Sequence, residues 1–218
     1  HADSRIEVKL PSNGVYVVAV ADAQGKGGPD YAYRLRLGVP RPDFELRVVP
    51  ATVNLRAGQT VPLTVHVLRR DGFDGPVELR LTSPTNGWSL NGARIPTGTD
   101  YVRVTLTAPA TVPSSVPIAL AMEGVAMIGG REVRRRATPA DDMMQAFFYR
   151  HLVPAESWLA YSVPSRFGRM PPIEVAGATP LRLSPGSTAS LRVRVPMGAA
   201  RRRFQMDLSD PPAGIVLA

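Results

Sequence analysis

The stretch "ATVNLRAGQTVPLTVHVLRRDGFDGPVELRLTSPTNGWSL", residues 51–90, decides the fold, because it recurs loosely but in phase over residues 178–217. Gly58, Thr60, Leu63, Val65 and Val67 return as Gly186, Thr188, Leu191, Val193 and Val195, each 128 positions on. After a one-residue slip, Leu81, Pro84, Gly87 and Leu90 return as Leu208, Pro211, Gly214 and Leu217, each 127 positions on. Both copies read as a turn, an alternating strand, a second strand, a Pro/Gly corner and a third short strand. Internal self-similarity of this kind reports architecture rather than chemistry. It predicts an all-β chain of repeated units.

Working outward from the first copy, strand patterns fall at residues 44–49, 60–68, 77–82, near Trp88, and at 101–107, 116–123 and 131–136. Short strands separated by regular turn signals predict an immunoglobulin-like β-sandwich over residues 43–138. Period-2 alternation then selects the inward face. Leu63, Val65, Val67, Leu79, Leu81, Val102, Val104, Leu106, Ile118 and Leu120 are the expected core.

On the N-terminal side, Ile6, Val8 and Leu10 alternate with Arg5, Glu7 and Lys9, which predicts a half-buried strand over residues 5–10. Ser12, Asn13 and Gly14 supply a turn. Residues 15–21 read as a central strand, and Tyr31, Tyr33, Leu35 and Leu37 as a third. Pro40-Arg41-Pro42 is a stiff linker closing this first unit of residues 1–40. Downstream, residues 138–153 admit two readings. Asp141 and Asp142 could cap a short helix bearing Met144, Phe147, Phe148 and His151, or residues 147–151 run extended, and the extended reading is adopted. Residues 158–163 read as a strand, residues 164–180 as Pro-rich connection, and the second copy follows from Leu181. Residues 139–218 are therefore expected to hold a linker and a partial second module. Half a sandwich leaves an apolar face and an unpaired edge, so further sequence, a partner chain or the strands of residues 1–40 are expected to cover it.

Composition narrows the function classes. With no cysteine there are no disulfides or thiolate metal sites, and 22 Pro with 19 Gly fit many short strands and tight turns rather than long helices. The charge of +8 is almost wholly arginine, Lys9 and Lys26 being the only lysines among 26 basic residues. Arg34, Arg36, Arg80, Arg103, Arg192 and Arg194 sit at outward strand positions and read as a solvated face. Two triplets, Arg134-Arg135-Arg136 and Arg201-Arg202-Arg203, carry no interleaved aromatics, so no nucleic-acid partner is expected. No apolar run is long enough to span a membrane as a helix. The chain opens at His1 without an initiator methionine or a signal peptide, which predicts a processed or partial polypeptide.

The run "DSRIEVKLPSNGVYVVAVADAQGKGGPDYAYRLRL" resembles the C-terminal half of the bacterial pre-peptidase C-terminal domain. The features carrying the resemblance fall on Asp3, Gly14, Tyr16 to Val20, Gly27 to Tyr31 and Tyr33 to Leu35. The next unit, with "RRDGFDGPVELRL" at residues 69–81 and "PADDMMQAFFYRHLVPA" at 139–155, looks like the Ig-like modules beside such domains in large exported bacterial proteins. The resemblance implies an array of β-sandwiches in an extracytoplasmic location, periplasmic, cell-surface or secreted, and an accessory, non-catalytic role. The first half of the pre-peptidase pattern is lacking, and the family's metal ligands are not all present, so none is carried across.

Residue chemistry agrees with that expectation. Of three histidines, His1 is terminal, His66 alternates with core valines and should point off the outer face, and His151 has no His or carboxylate at ligand spacing. No catalytic, cofactor-binding or metal residue is therefore assigned. Asp22 and Asp30, or Asp71 and Asp74, offer loop oxygens to calcium as the alternative to plain turns. Trp88, Trp158, Tyr149 and Tyr161 could form a sugar-stacking platform, although Trp88 aligns with Ile215 and so reads as core. The expected function is a structural or protein-interaction segment, a subunit docked in a larger assembly or against other modules of its parent chain. The alternative is a polysaccharide-binding accessory module of a secreted hydrolase.

Overall fold

A computed structural model describes residues 6–83, 87–111, 116–164, 173–177, 181–195 and 214–217, with Met206, Leu208 and Pro211 as isolated positions. Every regular element among them is a strand. The class is all-β, as the alternation requires. The chain divides into two units, residues 1–39 and 40–218.

In the first unit the three expected strands, at residues 5–10, 15–21 and 31–37, are absent from the described residues. This corrects the sequence reading. Alternation makes a segment able to pair, but a strand exists only through its ladder, and few strands without a buried face are stable in water. Residues 6–39 instead make local contacts. Asp22 Oδ2 accepts from the Gln24 and Lys26 amides at 2.8 and 3.1 Å, and Tyr16 Oη donates to the Ser12 carbonyl at 2.6 Å. Ile6, Val8, Val15 and Val17 are exposed.

The second unit begins with β1 (Asp43–Val49), β2 (Thr52–Arg56), β3 (Thr60–Arg70), β4 (Val77–Ser83), β5 (Ser89–Asn91), β6 (Arg94–Ile95) and β7 (Tyr101–Thr107). It continues with β8 (Ile118–Ile128), β9 (Arg131–Gln145), β10 (Tyr149–Pro154) and β11 (Trp158–Val163). One set of ladders runs β1–β3–β7–β5, antiparallel throughout. A second runs β6–β4–β8, with β9 and β11 both antiparallel to β8 and β2 parallel to β11. Their apolar faces meet in one core. Phe44, Leu46, Val48, Leu63, Val65, Val77, Val104, Leu106 and Met122 are fully or almost fully buried. The expected inward set holds: Leu63, Val65, Val67, Leu79, Val104, Leu106 and Leu120 are buried, and Leu81, Val102 and Ile118 pack against them half-buried. Trp88 is buried too.

Tight packing between the two sets is fixed at Gly124 on β8. A Cβ there would lie 2.5 Å from Leu46 Cδ1 and 3.2 Å from Phe44 Cε2 on β1, strands that share no ladder. Residues 70–73 form the turn between β3 and β4, with Asp71 and Gly72 both left-handed at φ 50° and 79° and the Phe73 amide bonded to the Arg70 carbonyl at 3.0 Å. That is the backbone which Asp-Gly favours. Phe73 then stacks on Phe44 with ring centroids 5.4 Å apart.

The core extends past the boundary expected at residue 138. Trp158 and Ala160 of β11 are buried in it, so residues 139–163 belong to this body and are not a linker. β2 and β6, unread in the sequence, complete its edges.

The repeat is visible in the backbone. In the first copy, Gly58 has φ 71°, the Gln59 amide bonds the Arg56 carbonyl at 2.9 Å, and the Arg56 amide bonds Gln59 Oε1 at 2.9 Å. In the second, Gly186 has φ 71°, the Ser187 amide bonds the Ser184 carbonyl at 3.1 Å, and the Ser184 amide bonds Ser187 Oγ at 3.1 Å. These residues correspond one to one at the 128-residue offset. Two further strands, β12 (Glu174–Ala176) and β13 (Arg192–Arg194), flank the second turn and pair antiparallel with each other, as β1 and β3 flank and pair around the first.

Candidate interaction site

The feature that departs from plain ladder pairing lies along one edge of β8. Residues 123–128 of β8 pair with residues 131–136 of β9, whereas residues 118–120 pair with residues 158–160 of β11. One strand position is thus filled by two strands, and residues 137–157 leave between them. Residues 137–139 cross to lie parallel to β1. Beyond Pro139, β9 and β10 pair only with each other and form a hairpin arm.

The arm is well anchored at its root. Ala140 is buried, the Ala155 amide bonds the Pro139 carbonyl at 2.8 Å, and Asp141 Oδ1 accepts from the Ala51 amide at 3.1 Å. Arg150 pairs with Asp142 across the ladder at 3.3 Å. His66, half-buried on β3 against Tyr101, has its pKa held below the ordinary value by burial, opposed by the nearby Asp142 carboxylate.

The tip is the opposite. Phe147, Phe148 and Tyr149 are 91, 87 and 68% exposed, and Met143 and Met144 are exposed as well. The turn closes through the Phe148 amide to the Gln145 carbonyl at 3.2 Å, with Ala146 and Phe147 both left-handed at φ 50° and 63°. Neither residue is suited to that conformation, which costs of order 1 kcal/mol or more for a side chain other than Gly, Asn or Asp. The tip thus combines left-handed backbone at two non-glycine residues with three exposed aromatic side chains.

At the neck, where the arm leaves the body, lies a cavity of about 280 Å³ lined by Ala119, Ala121, Ala137, Ala155, Glu156 and Trp158 among others. It falls just below the roughly 300–1,000 Å³ of small-molecule pockets. Arg136, Thr138, Glu156 and Ser157 share its wall with the alanines, and its volume is enough for one side chain.

The remaining sequence candidates are dispersed. Trp88 and Trp158 are buried and only Tyr149 is freely exposed, so the four aromatics do not form a stacking platform. Asp71 Oδ2 accepts from the Arg41 amide at 2.8 Å, and Asp74 Oδ1 from the Gly98 amide at 3.1 Å. His151 stacks on Tyr149, centroids 6.4 Å apart, on the arm. No cluster of three or more potential metal ligands occurs among the described residues. Within the arginine triplet, Arg134 pairs with Glu132 and Glu123, and Arg135 chelates Asp43 with two bonds of 2.9 Å. Arg201, Arg202 and Arg203 lie outside the described residues.

The Arg135 guanidinium bonded to Asp43 holds that carboxyl below the usual carboxylate value. Because the folded-state pKa is the lower one, the pair's contribution is present above about pH 3.8 and lost as pH falls through the folded value. With both side chains partly solvated, Asp43→Asn should cost about 0.5–1 kcal/mol at neutral pH and flatten the acid limb of a stability profile. Urea titrations across pH would check both.

No protein-family model matches this chain, and no curated protein matches it. No helix among the described residues is long and apolar enough to cross a membrane.

Proposed function

We propose that this chain is a non-catalytic structural or protein-interaction segment of an exported or envelope-associated bacterial protein, working as a docked part of a larger assembly. The observation carrying this reading is the arm. The strand position beside β8 is interrupted to project a hairpin whose tip holds Phe147, Phe148, Tyr149, Met143 and Met144 in water, a cost that binding would repay. The extracytoplasmic location and the accessory role rest on the resemblance to pre-peptidase C-terminal and Ig-like modules. Support for the Ig-like β-sandwich comes from the ladders β3–β7 and β4–β8, and from the passage of the chain from β1 on one layer to β2 beside β11 on the other. The recurring turn at Gly58 and Gly186 supports tandem modules. Polysaccharide binding is less favoured, since Trp88 and Trp158 are spent in the core.

The reading predicts that residues 142–152 can be replaced by an Asn-Gly turn joining Asp141 to Val153, which keeps Ala140 and the Asp141 contact in place, with little loss of melting temperature, while the altered parent protein migrates in its native host extract at smaller size than the unaltered one. An unchanged native size would refute it.

A further inference from the structure

We infer that the arm pairs with the same arm of a second copy of this chain, β10 against β10 about a twofold axis, each tip seated at the other's neck. The inference rests on the interaction reading above and names its partner.

Three observations converge on it. First, the outer edge of β10 has no partner among the described residues. Because the Ala155 amide faces Pro139 of β9, strand alternation turns the N–H and C=O groups of Arg150 and Leu152, and the C=O of Pro154, outward. An unpaired edge of this kind is a template for another strand.

Second, the arm's length places knob and hole in register. Antiparallel twofold pairing requires like edge positions to oppose each other, and centring it on Leu152 sets Arg150 opposite Pro154 and Tyr149 opposite Ala155, so that the turn holding Phe147 and Phe148 of one copy falls just past the end of the other's β10. Ala155, Glu156 and Ser157 line the neck cavity. Each copy therefore carries a pair of phenylalanines and the cavity that receives one, about 23 Å apart for the seven residues from Phe148 to Ala155 at ~3.3 Å per residue. In this register no charged residue faces a like charge, and the Pro154 carbonyl accepts although Pro154 has no N–H to donate.

Third, the area suffices. At roughly 150–250 Å² per aromatic side chain, the exposed parts of Phe147, Phe148 and Tyr149 from two arms bury on the order of 1,000 Å². Met143 and Met144 bring the total into the range of stable interfaces, about 1,200–2,000 Å². A twofold contact is self-complementary and closes, so the product is a dimer rather than a filament.

The test uses the 218-residue chain, purified alone. Sedimentation at micromolar concentration should show a monomer–dimer equilibrium, and Phe147→Ser with Phe148→Ser should weaken dimerisation by roughly 100-fold or more with an unchanged far-ultraviolet spectrum, since both side chains lie in water in the monomer. The chain has no cysteine, so Leu152→Cys reports on one contact alone. Opposed hydrogen-bonded positions lie about 5.5 Å apart, within the range a disulfide spans, and mild oxidation should convert the variant to a covalent dimer, whereas Thr52→Cys, on β2 outside the arm, should form no covalent dimer under the same treatment.

A monomeric unaltered chain, a dimer indifferent to the serine substitutions, or no cross-link through Cys at position 152 would each overturn the inference. Tip-dependent binding of a monomeric chain to phosphatidylglycerol vesicles would overturn it in favour of lipid. Loss of the native assembly on arm removal, with the purified chain monomeric, would sink self-pairing alone and leave the interaction reading standing.

Discussion

Gly124→Val should lower stability by about 3 kcal/mol, the upper part of the range for overpacking a filled core, and Gly124→Ala by a smaller amount of the same sign. The reason is local geometry. The first added carbon would meet Leu46 Cδ1 at 2.5 Å and Val77 Cγ1 at 2.7 Å, and Leu46, Val77 and Phe44 are all completely buried. None can swing into solvent, so β8 must move away from β1 or the side chains must leave their rotamers. Leu46→Ala in the same chain removes the nearest obstacle. The double variant Leu46→Ala with Gly124→Ala should therefore be more stable than the two single losses predict, a favourable coupling of about 1 kcal/mol for directly contacting residues. Guanidinium unfolding of the four chains measures it. Strict additivity would mean that β8 and β1 do not pack as described.

Arg69→Ala should cost about 1.5–3 kcal/mol, since it removes several charged hydrogen bonds at once, one of them part-buried. The guanidinium donates to the Gly75 carbonyl at 2.8 Å, the Pro96 carbonyl at 3.0 Å and the Thr99 carbonyl at 2.9 and 3.2 Å. It also lies 5.4 Å from the Phe73 ring centroid and 3.7 Å from Asp74. One side chain thus ties the β3–β4 turn to the segment between β6 and β7. Arg69→Lys should recover less than half of the loss, because an ammonium lacks the planar fork that reaches three acceptors in different directions. Thermal unfolding of the three chains distinguishes this from a charge effect, which lysine would restore in full. Arg70, next in sequence, pairs only with Glu45 among the contacts described, at 2.6 Å and half in water, and its removal should cost under about 1 kcal/mol.

That contrast shows where sequence reading stops. Arg69 and Arg70 are identical in type and adjacent, and alternation places them on opposite faces, but which face meets carbonyl oxygens depends on where residues 96–99 pass. The alternating runs at residues 60–67 and 101–107 were legible because a period of two is a property of neighbouring residues. β2 has the same alternation, Val53 and Leu55 inward, yet it owes its existence as a strand to β11, more than a hundred residues away. The arm was half legible. An extended reading of residues 147–151 holds over 149–151 in β10, but Phe147 and Phe148 belong to the turn before it, and that turn, Gln145-Ala146-Phe147-Phe148, contains no Gly, Asn, Asp or Pro and so sends no turn signal. The neck cavity had no signature, because it forms where β9 and β11 fail to meet.

The N-terminal residues 6–39 teach the converse. Ile6, Val8 and Leu10 alternate as cleanly as any run in the chain, and no ladder forms there. Pattern states a capacity to pair; the partner realises it.

From its order of residues alone, this protein has an all-β class, a core face chosen by alternation, and a recurring left-handed glycine turn, because each is dictated within a few neighbours by side-chain period and backbone sterics. Tertiary structure decided that one strand position is shared by β9 and β11, that residues 137–157 leave it as an arm, and that Arg69 rather than Arg70 staples the turn. Those outcomes depend on which distant segments come to lie side by side, and packing and hydrogen-bond satisfaction settle that only when the whole chain is in place.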